Sequence, residues 1–373
     1  MGRYTVREEP AVEARVEADL AVIRAAVTAE LGSDLVGLLL VGGFGRGEGS
    51  VIFVRGLPYA LNDYDLVVVL RGRRPHDALQ PLGDRLALEL GIAHVDLLPV
   101  AAADLPAATP TIFTFDMKNG SIVLDGPPDL RAPIPDHPAA ALPRSEAEIL
   151  LVNRLTCLLE CATEATLAGP GRPSEELAMA YMAAKVVLTA VEAEAVLGAR
   201  YSTSYEEKAR RHEGGGPDLV PVMTDFKLRP ATPVPFDPRW AWDEARRLYL
   251  STFAAVFGVP VERWPARRLR RWYFFLRRVF NLAANRPRYR DWTGVERRSR
   301  AEAAEMETIL AARGGSFDRA RRLLRPLVPD RPLDTWEDLR AACVLADDRY
   351  IHPHARQGPD LFGPALARIV DEA

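Results

Sequence analysis

An apolar run, Leu38-Leu39-Leu40-Val41, breaks into the glycine-rich turn Gly42-Gly43-Phe44-Gly45-Arg46-Gly47-Glu48, and Asn62-Asp63-Tyr64-Asp65-Leu66-Val67-Val68-Val69 follows. This combination constrains the chain more than any other feature. A short apolar run bounded by glycine reads as a buried strand entering a close turn. Side chains two apart on a strand share a face, so Asp63 and Asp65 project together, about 6–7 Å apart along the backbone. Val67 and Val69 continue that line, while Leu66 and Val68 take the opposite face. Two unpaired anions opening an apolar line are costly to bury. A cation must therefore stand near them, or the strand end must reach water.

Asp96 raises the same question inside Ala93-His94-Val95-Asp96-Leu97-Leu98. If its strand lies beside that of Asp63 and Asp65, the three acids form one cluster. Magnesium accepts carboxylates in such an arrangement and keeps waters and phosphate oxygens as its other ligands. Two ions would hold a triphosphate, activate the attacking group and offset charge on departing pyrophosphate. The plainer alternatives are turn acids beside Asn62 and an arginine partner for Asp96. The joint pattern with the glycines favours the cluster.

Gly42 and Gly43 leave room for phosphate to approach the backbone, and Arg46 is placed to add a charge-assisted bond. Arg46 has a plainer alternative too, an ion pair with Glu48 or a sheet-edge acid. The turn is not a P-loop, because the closing lysine-serine/threonine is absent. Nor is it a dinucleotide fingerprint: Gly43-Phe44-Gly45-Arg46-Gly47-Glu48 ends in glutamate where the last glycine belongs.

On these residues the chain resembles the nucleotidyltransferase superfamily that includes DNA polymerase beta and kanamycin nucleotidyltransferase. The shared elements are Val41-Gly42-Gly43, Arg46-Gly47, Asp63-Tyr64-Asp65 and the later acid Asp96, within roughly residues 20 to 126. The resemblance implies that Asp63, Asp65 and Asp96 are the catalytic and metal-binding residues. It implies that Gly42 and Gly43 face the triphosphate, and that Asp96 helps to activate the acceptor. The implied donor is ATP or another nucleoside triphosphate, with magnesium, two ions, as cofactor. Two departures stand out. The gap from Gly43 to Asp63 is longer than usual, which an inserted hairpin over Ser50 to Asn62 would explain. Gly43 also replaces the common serine. The acceptor stays open among a small molecule, a protein and a tRNA. The alternative function is a non-catalytic nucleotide-sensing or RNA-binding protein on the same fold.

The 373 residues exceed what one core needs. With 48% apolar and 27% charged residues and a net charge of -3, the chain reads as globular. No run approaches a membrane span. Met1 to Glu9 turns acidic where a signal peptide would turn apolar, and three cysteines are too few for a disulfide scaffold. A cytoplasmic enzyme is expected. Only four of the 48 basic side chains are lysines, Lys118, Lys185, Lys208 and Lys227. That reads as a compositional bias without functional meaning.

The expected fold class is α+β: a small mixed-sheet domain over residues 1–130, then a mostly helical domain over 141–373, subdivided near 214–238. Strands are expected at Leu35 to Val41, Val51 to Val54, Asp63 to Leu70, Ala93 to Val100 and Ser121 to Leu124. Helices are expected at Ala11 to Leu31 and Pro75 to Leu90. Gly56-Leu57-Pro58 reads as a turn, and Phe113 and Phe115 precede another at Lys118-Asn119-Gly120. Pro127 to Pro143 is a proline-rich joint. Long helical patterns then run over Glu146 to Ala168, Ser174 to Leu197, Trp240 to Phe257 and Pro265 to Leu282. Further ones cover Val295 to Ala312, Phe317 to Leu327, Thr335 to Ala346 and Pro364 to Val370.

Within the helical half, Asn153, Arg154, Tyr181 and Lys185 are polar positions in apolar patterns. Tyr181 and Lys185, four apart, share a helix face. Lys185 is a candidate contact for a phosphate or the base-side ribose, with an ordinary surface or bridging lysine as the plainer alternative, and Tyr201 to Lys208 is a candidate cleft lining. Arg263 to Arg300 interleaves thirteen arginines with Trp264, Trp272, Tyr273, Phe274 and other aromatics. It suits RNA or an anionic substrate, or else a core helix with a solvated arginine face. His352 and His354 are a weak zinc pair. Cys157 and Cys161 read as buried thiols.

Overall fold

The computed structural model describes residues 2–61, 63–212, 218–258, 292–312, 317–350, 362 and 364–373. A mixed β-sheet part is followed by a predominantly α-helical region, giving the expected α+β class. Helix α1 (Pro10–Leu31) begins at a proline, whose missing N–H costs nothing in a first turn. It ends at Gly32 with φ +50°. Its buried stripe is Val12, Val16, Leu20, Ile23, Val27 and Leu31, with Asp19 among them.

Strand β1 (Leu35–Leu40) leads into a single helical turn, α2 (Gly42–Gly45). A hairpin follows, β2 (Val51–Val54) and β3 (Leu57–Ala60), and then β4 (Tyr64–Leu70). Helix α3 (Gln80–Leu90) crosses over to β5 (Val95–Ala101), so β4 and β5 pair in parallel. Helix α4 (Ile112–Asn119) and β6 (Ile122–Asp125) complete the sheet part. The sheet order is β5-β4-β1-β6, with β1 antiparallel to both β4 and β6.

Alternation along the strands builds two layers. Leu38, Leu40, Leu66, Val68 and Leu70 pack with the α1 stripe and with Leu82 and Leu86 of α3. Leu39, Val67 and Val69 take the other face, against Leu105, Met117, Leu130 and Ile134. This second face carries Asp65, two residues before Val67 on β4.

The hairpin fills the long gap between turn and acids, as expected of an insertion there. Its turn falls at Arg55-Gly56, with φ +51° and +78°, the paired left-handed residues that match the twist of a tight hairpin. Leu57 and Pro58 therefore lie in β3, not in a turn. The hairpin serves two cores. Val51 and Ala60 are buried in the sheet cluster, whereas Ile52, Val54 and Leu61 are buried in the helical one.

The helical region contains α5 (Arg144–Val152), α6 (Cys157–Glu160), α7 (Glu164–Ala168) and α8 (Pro173–Leu197). It continues with α9 (Tyr205–Arg210), α10 (Leu219–Leu228) and α11 (Pro238–Phe257). Beyond these lie α12 (Trp292–Ala311), α13 (Phe317–Leu324), α14 (Trp336–Tyr350) and α15 (Pro364–Asp371). Helix α8 is the axis. It is buried on nearly every side, and its alanines at 178, 180, 183, 184, 190 and 193 let neighbours approach closely. Trp242 on α11 donates its indole N–H to Leu158 C=O at 2.9 Å.

Several local expectations are corrected. The single helix over Glu146 to Ala168 is three short ones. Thr163 draws its hydroxyl onto the Thr166 N–H at 3.0 Å, starting a new helix rather than continuing an old one. Helix α3 starts at Gln80, not Pro75, with Pro81 in its first turn. Phe113 and Phe115 lie within α4, which Thr111 caps and Gly120 ends. His352, His354 and most of Arg263 to Arg300 lie outside the described residues. Among the described residues, no helix is long and apolar enough to cross a membrane.

Because Ile52 carries one face of the hairpin into the helical core at 0% exposure, Ile52→Ala should destabilise the protein by about 2–5 kcal/mol. Leu57→Ala, on the 58% exposed side of the same hairpin, should stay within about 0.5 kcal/mol. Chemical denaturation of both variants measures this, and equal small losses would refute the bridging role of the hairpin.

Candidate metal and nucleotide site

The parallel register places Tyr64 opposite Val95 and Asp65 opposite Asp96. Partners in register share a sheet face and lie about 4.8 Å apart. Asp63, two residues before Asp65 and just ahead of β4, adds the third carboxylate. One oxygen from each of Asp63, Asp65 and Asp96 lies within 4.8 Å of the others. Asp63 and Asp65 are half-buried, and Asp96 is exposed on the edge strand.

Crowding raises the proton affinity of this cluster. Burial first, then the charges of Asp63 and Asp96, push the Asp65 carboxyl up to about 8, against the pull of Lys185 and Arg46. Partial desolvation of its carboxyl by the protein around it, then the Asp63 charge, raise Asp96 to about 6 although the residue lies open at the sheet edge, and His94 and Lys185 oppose them. Three hard oxygen ligands at this spacing, each repelling the next, fit a divalent cation such as magnesium.

The glycine turn is built around the same carboxylates. Val41 N–H donates to Asp65 C=O at 2.9 Å. Gly42 has φ +63°, and a Cβ there would stand 2.0 Å from Asp65 Oδ2. No other residue type fits with Asp65 in place.

A cavity of about 210 Å³ adjoins the acids. Gly42, Gly43, Arg46, Ser50, Asp63, Asp65, Ile112 and Asp116 form one wall. Leu150, Arg154, Lys185, Glu192, Tyr201, Tyr205 and Lys227 form the helical wall. Of the metal and phosphate candidates, Gly42, Gly43, Arg46, Asp63, Asp65 and Lys185 line this cavity, and the Asp96 carboxylate meets it through Asp63 and Asp65.

Arg46 lines the cavity within an ion pair. Its Nη1 donates to Asp116 Oδ2 at 2.8 Å, its Nε stands 3.8 Å from Glu48, and its guanidinium lies over the Tyr205 ring at 4.9 Å. Tyr201 OH donates to Asp116 Oδ1 at 3.1 Å. Glu48 in turn accepts from Ser204 Oγ at 2.9 Å and from Tyr205 N–H at 2.8 Å, so it caps the N-terminus of α9. The glycine turn and α9 are thereby joined, with Tyr201 and Tyr205 on the cavity side of the joint.

Lys185 is half-buried on the helical wall, its Nζ 5.8 Å from the centre of the Tyr181 ring. Tyr181 is fully buried and turns its hydroxyl onto Ser50 Oγ at 3.0 Å. Cys157 and Cys161 are free thiols, and burial pushes Cys157 up to about 11, which keeps it inert.

Sequence reasoning missed Asp116, Glu192, Ser50 and Lys227, and gave Arg154 no role. One signal was present. In a chain whose basic residues are almost all arginine, Lys185 and Lys227 both line the cavity. Lys208 also packs 4.7 Å from the rings of Tyr201 and Tyr205 and pairs with Glu192. Three of the four lysines thus gather at one site, where the sequence suggested compositional bias.

No protein-family model matches the chain, and no curated protein matches it.

The raised Asp65 carboxyl sets a pH dependence. A group that holds its proton more tightly when folded loses stabilising effect as pH rises through the folded value. In chelator, wild-type melting temperature should therefore fall relative to Asp65→Asn between about pH 4 and about pH 8, most steeply midway between these values and levelling off above about pH 8. Paired melting curves across that range check this. A difference that does not vary with pH would exclude the crowded-carboxylate account.

Proposed function

We propose that this chain is a magnesium-dependent nucleotidyltransferase. It moves a nucleoside monophosphate, with AMP as the default, from a nucleoside triphosphate to an acceptor and releases pyrophosphate. The observation that carries this reading is the convergence of Asp63, Asp65 and Asp96 beside the Gly42-Gly43 turn, with Lys185 on the facing wall. The resemblance of the glycine turn and Asp-x-Asp spacing to the nucleotidyltransferase superfamily supports it. In this reading residues 1–130 form the catalytic domain, and 141–373 supply the opposite wall.

Asp63, Asp65 and Asp96 would hold the divalent ions, which supply charge neutralisation at the reacting phosphate and the departing pyrophosphate. The chain's own groups do the rest. Gly42 and Gly43 admit the polyphosphate close to the backbone. Lys185 offsets its charge from the helical side, and Arg46, held in place by Asp116 and Glu48, keeps guanidinium N–H groups at the same wall. An acceptor oxygen bonds to the α-phosphorus as the bond from that phosphorus to the bridging oxygen breaks, and pyrophosphate carries the electron pair away. The acceptor's proton passes to a carboxylate of the cluster. Asp96 suits this role because it is exposed at the sheet edge, where an acceptor can reach it. The acceptor is a hydroxyl-bearing small molecule, protein or tRNA that reaches the cluster from that edge.

Incubation with α-labelled ATP and magnesium, over small-molecule, protein and tRNA acceptors, tests the reading. Transfer should be lost in chelator and should fall by about 100-fold or more in Asp65→Asn with the fold intact. Undiminished transfer in that variant, or none to any acceptor from any nucleoside triphosphate, would count against it.

A further inference from the structure

Lys227 has no part in the chemistry above, yet it lines the same cavity. It sits near the end of α10 and is 5% exposed. Its Nζ donates to Ser50 Oγ at 2.7 Å. That hydroxyl also accepts from Tyr181 OH at 3.0 Å and donates to Lys227 C=O at 2.7 Å. Both lone pairs and the proton of Ser50 are then committed. The ammonium lies 4.9 Å from the Tyr181 ring centre and 5.9 Å from that of Tyr205.

The charges facing Lys227 do not neutralise it. Lys185 of α8 and Arg46 of the glycine turn repel it, while Asp63 and Glu48 attract it. Glu48 is committed to the N-terminus of α9, and Asp63 belongs to the acid cluster. Among the described residues Lys227 forms no ion pair. A buried ammonium without an anionic partner is costly, and the open side of this one is a cavity.

We propose that Lys227 is a second anion-binding residue of the cavity, that it takes a phosphate oxygen of a nucleoside polyphosphate, and that binding carries a proton onto its amine. The nucleotide part of this rests on the donor reading above. The proton part follows from the surroundings. Burial first, then Lys185, pull the amine down to about 7, while Asp63 and Glu48 oppose them. At pH 8 the empty cavity holds mostly neutral amine. An anion placed against it restores the ammonium, so binding draws a proton from solution.

The test is calorimetric titration of the magnesium-saturated protein with an α,β-methylene ATP analogue at pH 8. It is run in two buffers of different ionisation enthalpy, so that the difference in heat counts protons. Wild type should take up close to one proton more than Lys227→Met and bind about tenfold or more tightly. Lys227→Arg should keep the affinity without the extra uptake. Equal proton counts with affinities within about twofold would overturn the proposal and leave the donor reading standing. If no nucleoside triphosphate binds wild type, the donor reading fails, and titration with inorganic tripolyphosphate judges Lys227 alone. Binding that Lys227→Met weakens supports an anion site, and no binding overturns it. Should the variants fail to fold, wild-type affinity for the analogue must still decline between pH 7 and pH 9, and a flat profile refutes the proposal.

Discussion

Three carboxylates held within reach of one another by a single strand register are the constraint on which the rest depends. Asp65 faces Asp96 because β4 and β5 pair in parallel with Tyr64 against Val95. A slip of one residue would send Asp96 to the opposite face, into the layer of Leu66 and Val68. The apolar pairs farther along, Leu66 with Leu97 and Val67 with Leu98, are what resist that slip. Hydrophobic burial at one end of the strands thus maintains electrostatic repulsion at the other. Desolvation first, and then that repulsion, raise the proton affinity of Asp65 and Asp96, and a divalent cation would relieve both.

The hairpin makes this sheet part of a larger site. Its alternating residues belong to two cores, and Ser50 at its foot meets Tyr181 and Lys227 from two different helices. The glycine turn makes a second joint through Glu48 and α9. Between these two joints lies the cavity, with carboxylates on the sheet side and Arg154, Lys185 and Lys227 on the helical side. Opposed charges across a partly desolvated space suit a ligand that is itself anionic and brings cations with it. Neither wall would offer that alone.

Much of this was legible before the structure. The stripe of α1 follows from helical spacing of Val12, Val16, Leu20, Ile23 and Val27, and the common face of Asp63 and Asp65 follows from strand spacing. The hairpin was legible as an insertion because the gap between turn and acids is longer than is usual in the superfamily the chain resembles. What escaped has a common cause. The break between α6 and α7 depends on Thr163 choosing a local cap over the helix, which an apolar pattern does not register. Arg46 had two kinds of partner in view, and the choice fell on Asp116, 70 positions away. Nothing local to Lys227 in the sequence marks its burial against Ser50, 177 positions away.

By itself, the sequence determined which side chains share a strand face or a helix stripe, because those periods are set by backbone geometry within a few residues. It thereby specified the acid pair, the glycine turn and the α+β order of elements. Only the tertiary structure decided the register that brings Asp96 to Asp65, the partner of Arg46, and the lysines that face the acids. Those are matters of distance between segments remote in sequence. Charges interact through space, and their energies depend on a separation and a burial that exist only once the chain has packed.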